Sequence, residues 1–298
     1  MYDPSTSDQP AFAQSAPGFG EPSGAPDPSQ FVPPDPAKPD ALRARAVRAD
    51  LAAPWDGLDL VVFFIYAFGM LYLLSAILAG LAVSQFRVPV TDIERFTTTN
   101  AGFVVFRQLL WFACLLGFLY ALVRRRTSQP FWPVIGWRSV RVSSLPQPAI
   151  LLMFLGLGAA LGAAADIASL FYNTEKRLPI QDLFESPHGV AYLMFFGIAV
   201  APLAEETVFR GFAFPALARK FGITAGIIFT GVLFGLVHVP QLRGGYGQIA
   251  TLVFVGIALT VVRNSTRSVY ASYLTHLGYN TFLFSGFLIE AVTRHRAG

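Results

Sequence analysis

The chain has 298 residues, of which 54% are hydrophobic and only 13% charged. A soluble protein of this length carries about 25% charged residues, so a membrane protein fits this composition and a soluble enzyme does not. The net charge of +4 divides into −5 over residues 1–40, where six acids face Lys38 alone, and +9 over the rest; that excess of Arg reads as topology and lipid contact, not nucleic-acid binding.

Residues 1–50 hold 10 of the 21 prolines, with Gly, Ser, Asp and Ala between them. Such a stretch buries too little apolar surface to offset its ordering entropy, which predicts a disordered Pro-rich cytoplasmic tail. It has neither the charged start nor the apolar middle of a signal peptide. Seven apolar runs follow, approximately Leu58–Val83, Ala101–Val123, Ala149–Phe171, Val190–Leu217, Ile223–Val239, Ile249–Val262 and Val269–Ala291. A helix needs about 20 residues to cross a ~30 Å hydrocarbon core. The sixth run is short unless it starts near Gln248, and the last is either one long helix or a helix with a returning piece. The expected fold is an all-α polytopic membrane protein, a bundle of seven or eight transmembrane helices around a buried polar cavity.

Within the second run lies Cys114, the only cysteine. It allows neither an intramolecular disulfide nor a thiolate cluster and reads as a small packed hydrophobe. In the third run, Gly158-x-x-x-Gly162 among alanines gives a smooth face for close helix packing. Basic residues pick the orientation. One set of alternate loops holds thirteen of them (Lys38, Arg43, Arg45, Arg48, Arg124, Arg125, Arg126, Arg138, Arg141, Arg219, Lys220, Arg263, Arg267) and the other five (Arg87, Arg95, Lys176, Arg177, Arg243). The positive-inside rule then puts the N-terminus in the cytoplasm, with a plasma membrane as the default bilayer.

Ionisable side chains at membrane depth cost several kcal/mol and each needs a reason. Arg107 reads as a snorkelling or paired residue and Asp166 as an interface residue, while His188, Glu290 and His295 read as solvated. Three clusters are harder to dismiss. In the fourth run, Glu205 and Glu206 are adjacent and point about 100° apart on a helix. Glu206 has Arg210 at i+4, the order that pairs best; Glu205 has no sequence-local partner and is a candidate general base. Pro202 denies the Ile198 carbonyl its helical hydrogen bond, which kinks the helix or frees an acceptor just before the pair. The fifth run ends in Phe234-x-x-x-His238. In the last, His276 and Asn280 are i and i+4 and address one point, either as donors to a developing oxyanion, as a metal ligand and its orienting amide, or as a hydrogen-bonded pair joining two helices.

These motifs, E-E-x-x-x-R at Glu205–Arg210, F-x-x-x-H at Phe234–His238 and H-x-x-x-N at His276–Asn280, resemble those of the CPBP intramembrane proteases, the CAAX protease and bacteriocin-processing (Abi) family that includes the type II CAAX prenyl endopeptidases. The resemblance divides the chain into the tail at 1–50, two additional N-terminal transmembrane helices with a basic loop at 51–147, and a CPBP-like protease core at 148–298. It implies an intramembrane endopeptidase acting on a membrane-associated peptide or protein within the lipid bilayer. Glu205 and His238 would activate water, His276 and Asn280 would stabilise the oxyanion, and Glu206 and Arg210 would hold the site. The family's metalloprotease reading instead makes Glu205, His238 and His276 ligands of Zn²⁺. Three N/O ligands plus water suit catalytic zinc, yet no H-E-x-x-H helix is present and adjacent glutamates are poor joint ligands, so the metal-free form is favoured, with zinc as the alternative cofactor. Two other readings compete: an ion-coupled transporter, because buried carboxylates and histidines also serve as ion relays, and a non-catalytic membrane partner that keeps the fold. Counting residues along the spans sets Glu205 near the cytoplasmic end of its helix and His238 near the opposite end.

Overall fold

A computed structural model describes residues 48–141, 144–172, 187–242 and 245–297, without the side chains of 187–190, 287 and 290–297. The chain separates into two units, Met1–Ala46 and Val47–Gly298. Residues 1–47 of the expected disordered tail, with Lys38, Arg43 and Arg45, and the loop cations Lys176, Arg177 and Arg243 lie outside the described residues, as do the side chains of His188, Glu290 and His295. Residues 48–50 of that stretch are placed, Ala49–Leu51 as a short 3-10 helix.

Seven long helices and no strand are found among the described residues. They are α1 (Gly57–Ser84), α2 (Ala101–Arg126), α3 (Gln147–Ser169), α4 (a broken helix from Pro187 to Phe221), α5 (Ile223–Val237), α6 (Tyr246–Thr266) and α7 (Val269–Ala297). The all-α polytopic membrane fold is as the sequence predicts. Helices α1, α2, α3 and α6, and Ala191–Phe221 of α4, are each long and apolar enough to cross a membrane. The last apolar segment is one continuous helix, diluted by the Ser272, Thr275, His276 and Asn280 it carries. Helix α6 begins at Tyr246, which lengthens the short sixth run to 21 residues. By contrast α5 has only 15 residues, about 22 Å at 1.5 Å each.

Local chemistry sets the helix ends. Asp56 caps α1 by accepting from the Leu58 and Asp59 amides, and Asp59 accepts from the Asp56 amide in return, a reciprocal capping box. Asn100 caps α2 through the Phe103 amide, and Arg124, Arg125 and Arg126 close it where the helix dipole favours cations. Gly222, at φ +90°, makes the tight turn between α4 and α5 that a side chain would strain.

Two prolines explain why α4 is broken. Its α-helical pieces, Pro187–Phe195, Ala201–Glu206 and Phe214–Phe221, are joined by π-helical stretches at Phe196–Val200 and Thr207–Ala213. A proline has no N–H to give the carbonyl four residues back. Just before Pro202 and Pro215, the Ala201 and Phe214 amides bond instead to the carbonyls five residues back, Phe196 and Phe209, so the register widens into a π turn. Side chains from elsewhere bond carbonyls in and beside these stretches: Asn280 donates to Gly197 (2.7 Å), five residues before Pro202, the Tyr273 hydroxyl to Ala199 (3.3 Å) and the Trp55 indole to Phe212 (2.8 Å).

The Gly158-x-x-x-Gly162 face packs against α7. A Cβ on Gly158 would lie 1.9 Å from the Thr275 carbonyl oxygen, and one on Gly278 would lie 2.2 Å from that of Leu155. Substituting Ala for Gly158 must part α3 from the helix that carries His276, so we expect a loss of about 1–3 kcal/mol, as for overpacking, and impaired activity. The control is Gly156→Ala, where nothing lies within 4 Å. Equal melting temperatures for the two variants in detergent would contradict this packing.

Several charges that read as loop cations are paired. Arg263 is buried and bonds the Asp50 carboxylate at 3.0 Å, Arg48 bonds both Asp50 and Asn264, and Arg126 bonds Asp59 at 2.8 Å. Together with Trp55 on Phe212, and with Arg219 on the Ala53 and Trp55 carbonyls, the Arg48 and Arg263 contacts strap residues 48–55 to α4 and the end of α6. Arg107 is half-buried, its Nε without a partner among the described residues; Cys114 is half-buried and Asp166 exposed. Burial pushes the Asp50 carboxyl up, but hydrogen bonds from Arg48 and Arg263 outweigh it and hold the carboxyl below its ordinary range. Its contribution to stability is therefore present above the unfolded value, about 4, and is lost as pH falls through the lower folded value. Asp50→Asn should lower the melting temperature at neutral pH, and the gap from wild type should close on acidification. A gap independent of pH would refute the linkage.

Candidate active site

The α4–α5 hairpin resolves the mismatch between Glu205 and His238. Glu205 lies 17 residues before Gly222 and His238 16 residues after it, so two antiparallel helices leaving one turn bring both to the same level. A short α5 makes this work: His238 stands at its C-cap, beyond the last helical residue, and the chain turns away at Pro240. The Glu205 Oε1 lies 3.9 Å from His238 Nε2, and Oε2 lies 3.8 Å from His276 Nε2. Both distances are just beyond hydrogen-bond reach. Glu205 and His238 keep 18% and 17% of their side-chain surface exposed, so this end of the cluster is open.

Glu206 is the opposite case, with no exposed surface. Its Oε1 accepts from Arg210 and from His276 Nδ1, each at 2.9 Å, and its Oε2 accepts from the Ser272 hydroxyl at 2.6 Å. Arg210, equally buried, also donates to the Gly256 carbonyl at 2.9 Å and lies 4.5 Å above the Phe234 ring. A buried carboxylate needs such compensation to stay ionised. Phe234 is 1% exposed and is the hub of the motif: it touches Phe209, His238 and His276 as well as Arg210.

Hydrogen bonding fixes which ring nitrogens carry protons. His238 Nδ1 lies 2.6 Å from the Phe234 carbonyl, which only accepts, so this nitrogen bears a proton. His276 Nδ1 faces Glu206, an acceptor-only carboxylate beside Arg210, and bears one too. Both Nε2 atoms are thereby left facing Glu205. The adjacent glutamates have separated: one anchors, the other meets the open end.

The structure brings Glu205, Glu206, Arg210, His238 and His276 into one cluster. Asn280 sits one turn along α7 from His276 and spends one amide N–H on the Gly197 carbonyl, which joins α4 to α7. Three further residues hold the site and carry no motif. Ser272 lies one turn before His276 on the same face. Trp137 donates to the Thr207 hydroxyl at 3.0 Å, and Tyr273 reaches the Ala199 carbonyl. Only Ser272 had a signal to find it by, its i−4 spacing from His276.

Glu205, His238 and His276 offer the donor chemistry of a zinc site, with two imidazole nitrogens and a carboxylate converging. Among the described residues, however, no group of three His, Cys, Asp or Glu side chains is placed to hold a metal ion. Comparison with known families finds that the model described as type II CAAX prenyl endopeptidase Rce1-like matches residues 187–282. That stretch, about a third of the chain, contains all three motifs and bears out the resemblance read from them. Neither the curated proteins nor the solved structures compared with the chain give a match.

Proposed function

From this likeness to CAAX-type intramembrane proteases, we propose that the protein hydrolyses a peptide bond of a membrane-anchored substrate, with Glu205 as the central base. The observation that carries this reading is Glu205 itself: a carboxylate that forms no salt bridge with Lys or Arg among the described residues, faced by two histidine Nε2 atoms at 3.8 and 3.9 Å, at the open end of an otherwise closed network. Water bound there gives a proton to Glu205 or His238 Nε2 as its oxygen attacks the scissile carbonyl carbon. The same proton passes to the leaving amine as the C–N bond breaks, leaving a carboxylic acid and an amine. His276 has already given its Nδ1–H to Glu206, so it donates to the oxyanion from Nε2 only as the imidazolium. Asn280 has one amide N–H left for the same oxygen. Glu206 and Arg210 act as positioning residues, and no step is routed through zinc.

Purified protein in proteoliposomes with lipid-anchored reporter peptides, in ¹⁸O-labelled water, tests the reading. The expected product is a peptide with one ¹⁸O in its new carboxylate, formed equally with and without chelator. Substrate-dependent proton flux without cleavage would overturn it in favour of a transporter.

A further inference from the structure

We propose that the groove between α1, the end of α4 and α5 holds one acyl chain of an anionic phospholipid, with Lys220 at its headgroup. This goes beyond the protease reading and does not depend on it. The groove has a volume of about 710 Å³ and is walled by Leu60, Phe64 and Phe68 of α1, Leu217 and Phe221 of α4, and Leu233 of α5. Among the described residues that line it, Lys220 is the sole charged one.

Three observations select this occupant. First, along α1 the groove runs from Gly57 to Phe68, eleven rises of 1.5 Å or about 16 Å, which is roughly half a ~30 Å hydrocarbon core. That is the depth of one leaflet, and a chain crossing the bilayer would need twice as much. Second, the cation stands at the end of the groove and not along it. The Lys220 Nζ would lie 3.7 Å from a Cβ on Gly57, the first residue of α1, and it sits 5.2 Å over the ring of Phe221, the last residue of α4. Third, its neighbours are already engaged. Arg219 bonds the Ala53 and Trp55 carbonyls, Arg126 and Asp59 hold each other, and the Asp56 carboxylate caps α1. Lys220 has no carboxylate partner among the described residues, so a phosphate meets a free ammonium there. In the expected orientation this is the cytoplasmic leaflet, where anionic lipids supply that charge.

The test is native mass spectrometry of the full chain released from nanodiscs containing equal amounts of phosphatidylglycerol and phosphatidylcholine. Wild type should retain one phosphatidylglycerol in preference to phosphatidylcholine. Lys220→Ala should lower that preference about fivefold, the effect of one basic residue at a membrane surface. Leu217→Trp should fill the groove and remove the retained lipid of either kind. If that variant fails to fold, Ile65→Trp obstructs the groove from its exposed rim without touching the core. Equal retention of both lipids by wild type, or a retained phosphatidylglycerol in Lys220→Ala and the Trp variants alike, would mean annular lipid only and overturn the proposal. Retention of an isoprenoid in place of the phospholipid would overturn it as well.

Discussion

Replacing Glu205 by Gln should lower the turnover number about 10³-fold or more, with little change in KM and none in melting temperature. The magnitude follows from the double use of this carboxylate, first as proton acceptor and then as donor; general acid–base catalysis contributes about 10²–10⁴-fold. Gln keeps the size and an acceptor oxygen but cannot take the proton. The split between kcat and KM follows because the lost interaction exists only in the transition state. Folding should be spared because Glu205 lies just beyond hydrogen-bond distance from both histidines and keeps part of its surface open. Cleavage of an anchored reporter peptide in proteoliposomes provides the rate and detergent melting the control. A variant within about tenfold of wild type would remove Glu205 from the chemistry.

Helix periodicity alone separated the two glutamates, because an i, i+4 partner for Glu206 can be read directly from sequence and the absence of one for Glu205 is equally visible. The apolar runs located all seven helices, and the small-residue face of α3 was legible as a packing surface. Its partner was not, because which helix meets it depends on the assembled bundle. The depth of His238 was misjudged by treating every run as a full crossing; the short α5 and the turn at Gly222 put it level with Glu205. The Asp50–Arg263 pair joins positions 213 residues apart, beyond any local pattern, and so Arg263 read as an ordinary loop cation. Pro202 announced a disturbance of α4, but its form, a π turn whose Gly197 and Ala199 carbonyls accept from Asn280 and Tyr273, involves side chains from α7.

The second large effect concerns the buried pair beneath the site. Arg210→Met should cost about 3–5 kcal/mol, the penalty for stranding one member of a buried ion pair, because Glu206 has no exposed surface to compensate. Glu206→Met should cost a similar amount by stranding Arg210. The double variant removes both charges and should recover most of that loss, leaving about 1–3 kcal/mol for the His276 Nδ1–H that loses its acceptor, while the Ser272 hydroxyl keeps the Leu259 carbonyl at 2.9 Å. Activity should follow a different course. It should stay at least about 10²-fold down in the double variant, because nothing then fixes the proton on His276 Nδ1 or turns its Nε2 toward Glu205. A double-mutant cycle on melting temperature and turnover together distinguishes the two roles. If stability and activity recover in parallel, Glu206 is structural only. If stability recovers while turnover does not, the buried glutamate contributes to hydrolysis by holding the histidine that faces its exposed neighbour.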